Sequence, residues 1–135
     1  MSEWYDRRGR LIRGTDAPTE SVEWKAGHMA VEILLGDPDY KVVSRTVFAG
    51  TERRDWGGEY IEQGEGEVVV STVWLGLDHG WMEGPPVIFE TMVFGGRFTE
   101  DMDRYRTLAE AKAGHEVMCS RVLQAQRDDA DQVIR

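Results

Sequence analysis

Residues 67–77 (EVVVSTVWLGL) and 86–94 (PVIFETMVF) are apolar at odd and even positions alike. A strand that presents apolar side chains on both faces needs cover on both faces, from its own chain or from another. The intervening stretch, residues 78–85, is polar and glycine-containing, and the Pro85–Pro86 pair marks where the next strand begins. Together these residues read as the central hairpin of a small antiparallel sheet.

The remaining elements follow from periodicity. Residues 40–50 (YKVVSRTVFAG) are β-branched and alternating, which predicts a third strand. The turn at Asp6–Gly9 between short apolar ends predicts an N-terminal hairpin. Val22, Ala26, Met29, Ala30 and Ile33 recur at helical spacing, capped by Thr19 at the start and by Gly36, in a left-handed conformation, and Pro38 at the end. A second helix starts at the capping box Thr107-x-x-Glu110, presents Leu108, Ala111, His115, Met118 and Val122 on one face and runs to about Gln126. Residues 51–66 form a long glycine-rich connection with a short strand expected over 59–62, and residues 95–105 read as a loop. The expectation is an α+β fold: a three-strand meander plus the N-terminal hairpin, covered by two helices, in one domain over residues 1–127 with a frayed tail at 128–135. A second copy of the chain burying one sheet face is the alternative source of cover.

Charge narrows the function. A chain of 135 residues with a net charge of −9 repels nucleic acid and anionic membranes, so neither is an expected direct partner, and a partner with a basic surface is favoured. The cluster Arg7, Arg8, Arg10 and Arg13 reads as a solvated turn. No apolar stretch approaches the roughly 20 residues of a membrane span. The N-terminal residues lack the apolar core of a signal peptide, and the single cysteine, Cys119, precludes an intrachain disulfide; both point to the cytoplasm. Cys119 itself reads as a small apolar filler.

Six side chains stand out. Glu90 shares a strand face with Ile88, Met92 and Phe94, where a carboxylate needs a partner. Asp78 and His79 follow a strand end directly, and His115 lies on an apolar helix face. Asp78, His79, Glu90 and His115 are the residues from which a ligand- or metal-binding or enzymatic module would be built, although no H-E-x-x-H or paired C-x-x-C spacing and no phosphate loop is present. Trp56 and Trp81 sit in loops, where tryptophan is enriched among binding hot spots. No catalytic residue, metal or cofactor is assigned.

The run VSTVWLGLDH, then a variable loop, then GPPVIFETMVFGG, preceded by DYKVVSRT and followed by RYRTLAEAKAGHE, resembles a set of small uncharacterised proteins encoded by actinobacterial phages and their hosts. The resemblance spans roughly residues 38–118, and the insert at 51–66 is larger than usual for the group. It implies a setting rather than an activity: a phage or prophage accessory protein in a bacterial cytoplasm, working by binding a host or phage macromolecule.

Overall fold

A computed structural model describes residues 3–56 and 62–134. The α+β fold is as expected, with a five-stranded antiparallel sheet in place of three strands and a hairpin. The strands are β1 (Val42–Ala49), β2 (Glu52–Asp55), β3 (Val68–Trp74), β4 (Phe89–Phe94) and β5 (Met102–Tyr105), in the order β2-β1-β3-β4-β5. The double-faced apolar strands, β3 and β4, are the interior ones, as burial on both faces requires. The two outer strands have sequences ERRD and MDRY. Charged edges of this kind discourage pairing with another chain, and they carry no apolar alternation to read.

Three helices accompany the sheet: α1 (Val22–Leu35), α2 (Pro38–Lys41) and α3 (Leu108–Ile134). The expected capping box forms: Thr107 Oγ1 accepts from the Glu110 N–H at 3.1 Å, and Glu110 Oε1 accepts from the Thr107 N–H at 3.1 Å. Helix α3 continues to Ile134, beyond the expected end near Gln126. Its Ala111, His115, Met118 and Val122 are buried, as the spacing predicts. Met118 and Val122 pack with Phe48, Val68, Val70 and Val93 on one sheet face. A second cluster surrounds Trp74, Ile88 and Phe89, where Leu34, Leu35 and Tyr40 close one end of the core.

The face of α1 is a correction. Val22, Met29 and Ile33 are exposed, and the inward face instead carries Gly27 and Val31. Trp24, Gly27, Val31 and Leu34 have a helical period as good as the expected stripe. Close approach decides between them: a Cβ on Gly27 would sit 2.3 Å from the Arg13 carbonyl oxygen, so only glycine lets the helix reach that turn. The cap is Ser21 rather than Thr19, and Gly36 is right-handed (φ −83) rather than left-handed.

Two further expectations change. The N-terminal segment turns back at Asp6–Gly9 as expected, but its limbs join through a single bridge, Tyr5 to Leu11, rather than as full strands, and Trp4 bridges Leu77. Helix α3 lies along the sheet, while α1 reaches the core through its last residues, Leu34 and Leu35, which pack against the cluster of Trp74, Ile88, Phe89 and Ala111. No described helix crosses the opposite face, where Phe94 and Met102 remain 43% and 49% exposed. The strand expected over 59–62 falls, except for Glu62, outside the described residues. No helix is long and apolar enough to cross a membrane among the described residues.

Candidate functional site

The loop between β3 and β4 is built on Asp78. Its Oδ1 accepts from the N–H groups of Gly80 and Val87, both at 2.8 Å. These bonds, the Val87 bond first, hold the Asp78 carboxyl below its usual acidity range. The His79 N–H donates to the Val87 carbonyl at 2.8 Å, and the His79 Nδ1–H donates to the Leu77 carbonyl at 2.8 Å. Both residues therefore pin the loop's two limbs together, the turn role open to an Asp at such a corner.

The pinned loop displays Trp81. Its side chain is 91% exposed and the adjacent Met82 is 64% exposed. Beside them lies an open groove of about 240 Å³ lined by His79, Trp81, Met82, Val87, Arg104 and Arg106. The groove wall is thus basic, although the chain as a whole is acidic. Arg104 and Arg106 were invisible to sequence reading because β5 itself was read as a loop.

Glu90 has a simpler explanation than chemistry. Its carboxylate is 14% exposed and accepts from Arg104 Nε at 3.0 Å across the β4–β5 pair. The buried carboxylate demands a partner, and the neighbouring strand supplies one.

His115 is buried on the other side of the sheet. Register pairs Thr72 with Thr91 and Val73 with Glu90, and successive strand residues face opposite ways. His115 bonds Thr72, so it lies on the face that Glu90 turns away from. The two do not meet, and the set Asp78, His79, Glu90 and His115 is dispersed over the loop and both faces. Among the described residues no group of three or more His, Cys, Asp or Glu side chains is placed to hold a metal ion.

His115 instead anchors a hydrogen-bonded chain. The Thr46 hydroxyl donates to Asp55 Oδ1 at 2.8 Å, so its remaining contact, His115 Nε2 at 2.8 Å, must be a donor. His115 Nδ1 is then the acceptor for the Thr72 hydroxyl at 2.7 Å, and Thr72 accepts from Thr91. Burial lowers the His115 pKa, which favours the neutral ring that this donor–acceptor pattern uses. Asp55 is held ionised first by Thr46 and then by Arg53, whose guanidinium also forks onto Glu116 at 2.8 and 2.9 Å. These groups and Trp56, 38% exposed, border an open hollow of about 280 Å³. Its carboxylates are paired to Arg53, and burial raises the Cys119 thiol to about 11, which disfavours the reactive thiolate. The signal for this network was present in the sequence: threonines at 46, 72 and 91 on otherwise apolar strand faces.

Comparison with protein-family models, with curated proteins and with solved structures finds no match. The pinned loop with its exposed tryptophan and basic groove is the site with the clearest capacity to bind.

Proposed function

We propose that this chain is a binding module that docks a protein partner through Trp81 and the groove beside it. The observation that carries the reading is a tryptophan 91% exposed on a loop whose backbone is already fixed by Asp78. A large ring presented on an ordered loop loses little entropy on binding, and such residues dominate interface energies. With Arg104 already paired to Glu90, it is the groove's Arg106 that favours an acidic rim on the partner, reversing locally the preference that the net charge suggests. Long nucleic acids and anionic membranes are disfavoured by the charge of −9. The resemblance of residues 38–118 to phage and actinobacterial proteins supports a host or phage partner and an accessory role in the bacterial cytoplasm.

Site-specific photo-crosslinking tests this. A photoreactive residue at position 81 is expected to give one discrete protein adduct in an actinobacterial lysate. The same residue at Val117, 63% exposed on α3, is expected to give none. Identical adducts at both positions, or adducts removed by nuclease, contradict the reading. Self-association across the exposed Phe94 and Met102 is the competing use of the open sheet face, and an adduct of twice the chain mass would reveal it.

A further inference from the structure

The arginines of the N-terminal turn converge on something. A cavity of about 610 Å³ is lined by Arg7, Arg8, Arg10 and Arg106 together with Asp6, Tyr40 and Leu108. Arg7, Arg8, Arg10 and Arg106 border it together with a single lining carboxylate, Asp6, in a protein whose net charge is −9. That carboxylate is committed elsewhere: Asp6 Oδ1 accepts the backbone N–H groups of Arg8 and Arg10 at 2.8 and 3.0 Å. Among the described residues no side-chain hydrogen bond or ion pair engages Arg8, Arg10 or Arg106.

Arg7 forms the rigid floor. Its backbone N–H donates to the Tyr40 hydroxyl at 2.7 Å, its Nη2 donates to the Val42 carbonyl at 3.1 Å, and its guanidinium lies over the Tyr40 ring at 5.2 Å. Its Nε is buried with no hydrogen-bond partner. A buried guanidinium N–H without an acceptor is unfavourable, and clustering like charges around it adds repulsion. The Arg106 guanidinium lies close to Gly84, where an added Cβ would sit 3.2 Å from its Nη2. Thr107, which caps α3, and Leu108, its first residue, complete the wall.

We infer that this cavity binds a small phosphorylated molecule carrying at least two negative charges. Phosphoryl oxygens match the forked guanidinium geometry and supply the acceptors that the arginines lack. The volume lies in the range of small-molecule sites and exceeds what a bare phosphate needs, so room remains for an organic body against Leu108 and the stem of Arg7. The cavity shares Arg106 with the groove beside Trp81, whereas Arg10 borders the cavity alone, so Arg10→Ala separates phosphate binding from the docking role.

Titration calorimetry with inorganic pyrophosphate, in buffer near physiological ionic strength, tests the inference. Saturable binding is expected, weakened at least tenfold by Arg106→Ala and by Arg10→Ala. Arg13→Ala, an exposed arginine of the same segment that does not line the cavity, is expected to bind as the parent does. Absence of binding overturns the inference. So does an equal loss in Arg13→Ala and Arg106→Ala, which marks a diffuse charge effect. Tighter binding of hexaglutamate than of pyrophosphate would assign the arginines to an acidic peptide instead and likewise overturn it.

Discussion

His115 Nε2 lies 2.8 Å from Thr46 Oγ1, and since Thr46 gives its hydroxyl hydrogen to Asp55, the histidine must be the donor. One hydroxyl thus fixes the tautomer of a side chain that is 1% exposed. The folded pKa of His115 is lowered by burial, whereas an unfolded histidine titrates near about 6.5. The unfolded chain therefore binds the proton more readily. The stability that His115 contributes is complete above about pH 6.5 and declines as the pH falls below it. Urea midpoints measured across this window are expected to drop in the parent and to lose that slope in His115→Gln.

Asp78 holds the Trp81 loop by accepting two backbone N–H groups. Asp78→Ala is expected to leave both donors unpaired, at about 1–3 kcal/mol in total. Amide hydrogen exchange should speed up at Gly80 and Val87 while the β1–β3 ladder keeps its protection.

Helix propensity alone favours alanine over glycine by about 1 kcal/mol within a helix. At Gly27 the opposite outcome is expected, because the added Cβ would fall 2.3 Å from the Arg13 carbonyl, a backbone atom that cannot turn aside. Gly27→Ala should lower the thermal midpoint, and a raised midpoint would contradict the packing of α1 on the 13–15 turn.

Thr107→Ala removes one half of the α3 capping box. A loss of about 1 kcal/mol in unfolding free energy is expected, with a further loss when Glu110→Ala is added, since Glu110 Oε1 can still accept the backbone N–H of residue 107 after Thr107→Ala.

The parts of the fold legible in sequence were those whose pattern burial writes directly. β3 and β4 carry apolar side chains on both faces, and α3 has one apolar stripe and a capping box. The outer strands were missed because solvent faces them: ERRD and MDRY have no alternation to detect. The stripe on α1 was misplaced because two stripes have equal periodicity, and a single glycine contact chooses between them. The oddity of Glu90 was legible and its resolution was not, since Arg104 lies on a strand that sequence reading left as a loop. The arginine turn is solvated as its sequence predicts, with Arg8, Arg10 and Arg13 exposed, and only the fold brings Arg106, distant in sequence, to the same cavity.

The docking account rests on Trp81, and its removal separates binding from folding. A side chain 91% exposed contributes little to stability, so Trp81→Ala should change the unfolding free energy by less than about 0.5 kcal/mol. The decisive measurement is the affinity of parent and Trp81→Ala for the purified protein that crosslinks at position 81. The account predicts a Kd at least tenfold higher for Trp81→Ala, in keeping with a hot spot of about 2 kcal/mol or more. Equal affinity of the two, with the fold of both intact, would contradict it.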